Sequence, residues 1–300
     1  MNKPQKTLRA RKALSAVWFC TPAVSLLTVF LIIPSLMALF FSFTDFYTLR
    51  PDERTFVGIS NYVTLFEDSL FWTCLRNTAY FTVVLVPIEA LIALLLAMLI
   101  NTNLKGQLFF RTSFFMPVIT SITVVSILWT FLYNPSNGLI NALLNSLSLP
   151  SQRFLRSADQ AMNSIIVMTI WQGVGYQMII FLAGLKDIPR DYYEASAIDG
   201  AGKFRQFTAI TLPCLKNVIS FIVIYVTIQA FKLFVQPYIM TNGGPQNSTR
   251  SLVQYIYQQG FQYKKAGFAS AASVIFFLIV VLVSGVLKLA FLNHGEAKEK

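Results

Sequence analysis

The sequence predicts an all-α polytopic membrane protein with six transmembrane helices and both termini in the cytoplasm, and three observations carry that prediction. Of its 300 residues, 55% are hydrophobic and only 12% charged, more apolar side chain than a soluble core of this size holds. The apolar residues gather into six runs long enough to cross a bilayer, which takes about 20 residues each. The basic residues alternate between connections: fifteen of the 24 Lys and Arg fall before residue 16, in segments 101–112 and 184–213, or at Lys216, Lys288, Lys298 and Lys300. Eight fall on the other side, at Arg50, Arg54, Arg76, Arg153, Arg156, Arg250, Lys264 and Lys265, which leaves Lys232 inside a run. The positive-inside rule places the richer set in the cytoplasm.

The same features exclude other classes. The net charge of +11 is spread over membrane-flanking connections, so it supports the membrane reading and not nucleic-acid binding. Cys20, Cys74 and Cys214 are odd in number and far apart, which gives no disulfide framework. The single histidine, His294, stands apart from any acidic cluster, so no metal site is expected.

In order along the chain, residues 1–15 form a basic cytoplasmic segment, 16–291 the transmembrane domain and 292–300 a cytoplasmic tail. The first run, 16–42, follows Arg9, Arg11 and Lys12, but it is too long for a signal-peptide core and lacks a small-residue cleavage site. Val17, Trp18 and Phe19 before Cys20 are too bulky for lipoprotein processing, so the run is read as a retained helix. Runs 79–100, 113–133, 163–183, 214–236 and 269–290 follow. The third and sixth are the cleanest, lying in charge-free stretches from Thr112 to Gln152 and from Ala266 to Leu287. The outer connections are long enough to carry small helices that touch a soluble partner. "TNGGPQNST", Thr241 to Thr249, is turn-rich, because Gly and Asn reach positive φ and Pro presets a bend.

Between the fourth and fifth runs the chain turns polar, in segment 187–213. Asp187 is placed to cap a helix with Pro189 in its first turn, continued by Tyr192 to Ile198. Asp199, Gly200, Ala201 and Gly202 end it, because glycine tolerates the left-handed conformation of a helix terminus. A second short helix follows, with Phe204, Phe207 and Ile210 three apart and so near one face, and Pro213 opens the fifth run. Composition alone fits either an interfacial loop or a docking surface whose small residues let another molecule approach closely.

The residue spacing goes further. Glu194 and Ala195, then Gly200, then Ile210, Leu212 and Pro213 resemble the "EAA, three residues, G, nine residues, I, one residue, LP" signature of the membrane subunits of binding-protein-dependent ABC importers. Ser196 stands where that signature has its third residue, alanine, and Asn217 where a further proline is common. "PSLMALFFSFTDF", "FVGISNYVTLF", "RNTAYFTVV", "FFRTSFFMPVI", "WTFLYNPSNGLINALL" and "GFASAASV" look like the carbohydrate-uptake branch of the family. "TNGGP" is similar to the sugar-binding permease of maltose-type transporters. The resemblance implies a bacterial cytoplasmic-membrane complex of this chain, a second homologous permease, two ATPase subunits and an extracytoplasmic solute-binding protein. It implies that the cytoplasmic bend docks on an ATPase through Glu194, Ala195, Ser196, Asp199, Gly200 and Ala201, with Ile210, Leu212 and Pro213 completing the signature.

No catalytic site is expected on this chain. "GAGKF", Gly200 to Phe204, fails as a phosphate loop, because Ala197 replaces the first glycine and Phe204 the Ser or Thr after the lysine. ATP and Mg therefore belong on partner subunits, and this chain carries no cofactor of its own. A Ser/His/Asp set and a helix with paired metal ligands are both lacking.

Two polar stripes mark where a solute could sit. Thr169, Gln172, Gly173 and Tyr176 follow the i, i+3, i+4, i+7 pattern in the fourth run, and Tyr225, Gln229, Lys232 and Gln236 are spaced four, three and four apart in the fifth. Such stripes either line a shared hydrated cavity or bond helix to helix as packing groups, worth about 0.6 to 2 kcal/mol each. Amides, hydroxyls and rings suit a sugar, and the resemblance places sugar on the helices that flank the bend, with "WQGVGY" similar to the family's pattern there. Several positions that contact sugar in the maltose-type permease are apolar here, such as Val226 and Ala230, which implies either a different ligand or weaker binding; the cargo expected is an oligosaccharide or glycoside. Glycerol 3-phosphate is the second cargo, because Lys232 can attract a phosphate. Apart from Lys216 and Lys288 at the cytoplasmic ends of their runs, Glu89 and Lys232 are the only charges inside runs, and each must face protein or water. Glu89 is expected as an interhelical anchor. A secondary transporter coupled to ions through Glu89 and Lys232 is the alternative from another class.

Overall fold

The computed structural model describes residues 18–102 and 106–296, so the basic segment 1–15 and the end of the tail lie outside the described residues. Helices account for nearly all regular structure, in the order α1 Trp18–Phe41, α2 Ser60–Glu67, α3 Ser69–Asn101, α4 Gln107–Ile119, α5 Ile122–Leu132, α6 Leu139–Ser146, α7 Ala158–Lys186, α8 Arg190–Ile198, α9 Lys203–Gln206, α10 Lys216–Phe231, α11 Val235–Met240, α12 Leu252–Tyr257 and α13 Ala266–Glu296. Five segments are long and apolar enough to span a membrane: α1, α3, α7, Lys216–Met240 and Ala266–Phe291; α4 with α5 makes a sixth if the bent pair counts as one span.

The chain divides into two compact units. The first contains residues up to Glu67 and Ile256–Ile275. Within α1 a widened turn at Thr28–Ile32, closed by the Ile33 N–H on the Thr28 carbonyl, precedes Pro34, whose missing N–H and ring would otherwise disturb the α ladder. After α1, the Asn61 amide donates to the Ser42 and Thr44 carbonyls and Tyr62 shares a hydrogen bond with Ser42. Gly267, at the start of α13, donates its N–H to the Phe46 carbonyl, and a Cβ there would collide with the Thr44 carbonyl. A glycine is therefore required where α13 meets this strand-like turn.

The second unit holds Asp68–Tyr255 and the remainder of α13. Its centre is α7, which packs against α3, α4 and α10 and buries Ile165, Met168, Met178, Phe181 and Leu182 completely or nearly so. Helix α3 begins about ten residues earlier than the apolar run at 79–100, because Asp68 accepts a hydrogen bond from the Leu70 N–H and starts it there. At about 1.5 Å per residue its 33 residues exceed the ~30 Å hydrocarbon thickness.

Three sequence expectations are corrected. The third run is not one straight helix: α4 and α5 meet at 99°, where Thr120 and Ser121 are extended just after Pro117, which removes a backbone donor. Asp187 does not cap the bend's first helix; it terminates α7, and Pro189 precedes α8 without a side-chain cap. Pro213 lies in a single helical turn, Leu212–Cys214, and the spanning helix starts after a break at Leu215. Helix α13 runs on to Glu296, past the membrane-length stretch that ends at Phe291.

Candidate functional site

The helix–turn–helix after α7 is fixed by its backbone. Gly200 has φ +76°; its N–H bonds the Ala197 carbonyl and the Ala201 N–H bonds the Ser196 carbonyl, the paired closure of a helix that ends on a left-handed residue. A Cβ at Gly200 would meet nothing within 4 Å, so its conformation, and not crowding, favours glycine. Beyond the turn, α9 runs into a widened turn at Phe207–Thr211, which spoils the three-residue register. Phe204 is 79% exposed, whereas Phe207 and Ile210 pack against the core.

The signature residues separate into two groups. Glu194, Ala195, Asp199, Gly200 and Pro213 are exposed, Ser196 and Ala201 half-buried, and Ile210 and Leu212 face the core. Ile198, 87% exposed, and the exposed Asp199 stand beside Gly200, so the tip of the bend is open and sets an apolar side chain next to a carboxylate. Two residues missed in the sequence hold the arms together: the buried Gln206 amide donates to the Tyr193 carbonyl and the Ser196 hydroxyl, and Tyr193 shares a hydrogen bond with Thr211. Ser196, a departure from the signature, thus has a bonding role inside the bend.

All eight residues of the two polar stripes line one cavity of about 540 Å3, within the 300–1,000 Å3 typical of ligand sites. From α7 come Thr169, Gln172, Gly173 and Tyr176; from α10 and beyond come Tyr225, Gln229, Lys232 and Gln236. Tyr176 and Tyr225 meet across it with ring centroids 5.5 Å apart, and Gln229 donates to the Tyr225 hydroxyl at 3.3 Å. The Thr169 hydroxyl is spent on the Ile165 carbonyl within α7. Gln172 donates to the Thr120 carbonyl at 3.0 Å, satisfying an acceptor that the break between α4 and α5 frees from the helical ladder.

The second stripe is not one helical face. α10 ends at Phe231, Lys232 caps it, and Gln236 is carried by α11, so the break and not the periodicity brings Gln236 to the cavity. Val226 and Ala230 line the same wall. Glu89 is corrected from an interhelical anchor to a lining group: it is 3% exposed, borders the cavity, and makes no hydrogen bond or ion pair among the described residues. A Cβ on Gly173 would overlap its carboxylate. Gln177, 5% exposed with its Oε1 unbonded, also lines the cavity. The sequence carried a signal for it, since Gln177 lies one turn past Gly173 on the same face.

Glu89 and Lys232 form no ion pair; the one salt bridge among the described residues joins Arg50 and Glu53. No group of three or more His, Cys, Asp and Glu that could hold a metal occurs among the described residues.

Comparison with known proteins agrees with this architecture. A lactose transport system permease of Rhizobium radiobacter is 38% identical over 287 residues, covering 94% of this chain and 93% of that one. An arabinooligosaccharides transport system permease of Bacillus subtilis is 32% identical over 286 residues, covering 93% and 89%. A solved bacterial alginate ABC transporter, in complex with its alginate pentasaccharide-bound periplasmic protein, contains a chain with TM-score 0.81 and 23% identity, covering 95% of this chain and 96% of its own. Residues 12–291 match the family described as the inner membrane component of binding-protein-dependent transport systems, and this chain belongs to that family.

Proposed function

We propose that this chain is the permease subunit of an ATP-driven importer that carries an oligosaccharide or glycoside, handed to it by an extracytoplasmic solute-binding protein. The observation that carries the reading is the cavity: two tyrosines, four glutamines and a threonine converge on one space between α7 and α10, a lining whose rings cover apolar sugar faces and whose amides match hydroxyls. The sugars named for the two permease relatives support the cargo class. In this reading the chain lies in the bacterial cytoplasmic membrane with both termini inside. It pairs with a homologous permease and leaves ATP and Mg to two ATPase subunits.

The segment from α8 to Leu212–Cys214 then acts as the joint. It follows directly on α7 and leads directly into α10, the two helices that carry the stripes. A push on the exposed tip at Ile198, Gly200 and Phe204 reaches both cavity walls without an intervening linker. Gly200→Asp tests the joint. Asp tolerates a left-handed backbone better than most residues and finds open space at this position, so the protein is expected in the membrane at normal amount. The added side chain, a second carboxylate next to Asp199, is expected to obstruct docking of the tip and abolish solute uptake. Normal uptake by this variant, at normal abundance, contradicts the joint.

A further inference from the structure

Two groups in the cavity lack what buried polar groups ordinarily have. Glu89 on α3 is 3% exposed and Gln177 on α7 is 5% exposed. The Glu89 carboxyl has no hydrogen-bond or ionic partner among the described residues, and the Gln177 Oε1 has none either. Leaving a buried acceptor unpaired costs about 1–3 kcal/mol, more for a charged group. Packing groups between membrane helices keep their place by bonding to a neighbour, which neither of these does. Gly173 keeps the Glu89 carboxyl against α7 because any larger residue would overlap it, and Gln177 follows one turn on. The helices thus hold two acceptors without a donor at the wall of a 540 Å3 space.

We propose that Glu89 and Gln177 are cargo-contacting residues that select an uncharged, hydroxyl-rich saccharide over an anionic one. The proposal rests on the importer reading and narrows its substrate class. A sugar hydroxyl supplies the missing donor and, being donor and acceptor at once, satisfies either end of the Gln177 amide. Phosphate, sulfonate and uronate oxygens only accept, so they find a donor in the Gln177 Nε2 but none in its Oε1 or in an ionised Glu89 carboxylate. Lys232, the other charged lining residue, is exposed in the break that ends α10.

The test is equilibrium binding to the intact complex, purified through a tag on this chain with its native permease and ATPase partners and freed of binding protein. The probes are radiolabelled lactose, raffinose and arabinotriose, with glycerol 3-phosphate and alginate trisaccharide as anions. Wild type is expected to bind at least one neutral probe and to bind both anions at least tenfold more weakly. Glu89→Leu and Gln177→Leu should each weaken that neutral probe tenfold or more while still co-purifying with the partners. Glu89→Gln, which keeps an acceptor, should lose less than threefold.

Equal or tighter binding of an anion overturns the proposal. So does wild-type affinity in both leucine variants, which would mean the groups bond only water, or binding that requires sodium, which would mean they hold a cation. Binding of none of the neutral probes, while ATP-driven sugar uptake persists in membrane vesicles, overturns this assignment and leaves the importer reading standing. Loss of ATP dependence from uptake strikes the importer reading instead.

Discussion

At the scale of single residues, the cavity depends on one missing methyl. The three nearest atoms that a Cβ on Gly173 would meet all belong to the Glu89 carboxylate, so Gly173→Ala must expel that side chain from its place. Overpacking of this kind costs about 1–3 kcal/mol, and the cost should vanish when Glu89 is shortened. The expected outcome is a lower melting temperature for detergent-solubilised Gly173→Ala, restored in the Gly173→Ala, Glu89→Ala double variant. Additive losses would show that the two residues do not share a contact. The sequence made the polar stripes legible because Thr169, Gln172, Gly173 and Tyr176 repeat at helical spacing. It left Glu89 ambiguous, since a lone charge in an apolar run reads the same whether it bonds a neighbouring helix or faces a cavity. That distinction is set by α7, 84 residues further along the chain at Gly173.

At the scale of elements, hydropathy located the spans but not their bends. The charge-free run from Thr112 to Gln152 reads as an ideal straight span, yet α4 and α5 diverge by 99°, because hydropathy registers transfer energy and is blind to where the backbone ladder breaks. Pro117 was the visible clue, and the Gln172 bond to the Thr120 carbonyl is the compensation. Helix α4 crosses α7 at Gly175, where a Cβ would strike the backbone of Phe114 and Phe115. Backbone cannot swing aside as the Glu89 side chain can. Gly175→Ala is therefore expected to be the harsher change, with a large loss of protein from the membrane fraction where Gly173→Ala loses little. Equal abundance of the two variants would contradict the close crossing. The bend after α7 was legible in both halves from its glycine and its signature spacing, whereas its ties, Gln206 to Tyr193 and Ser196, were not, because hydrogen bonds between two short helices leave no periodic trace.

At the scale of the whole chain, the family match over residues 12–291 and the 0.81 TM-score to a solved transporter chain describe the fold of the inner membrane component of a binding-protein-dependent transport system. Its described residues hold the cavity but no metal-binding cluster, and the one glycine–lysine stretch lacks the residues of a phosphate loop. The central claim is that force arrives from outside the chain through the bend. The most direct measurement is uptake of a radiolabelled sugar into proteoliposomes, comparing the purified chain alone with the complex that also contains both ATPases, the second permease and solute-loaded binding protein. The account predicts no transport by the chain alone, and uptake by the complex that stops when ATP is removed, even with an ion gradient imposed. Uptake by the chain alone, driven by that gradient, would contradict it.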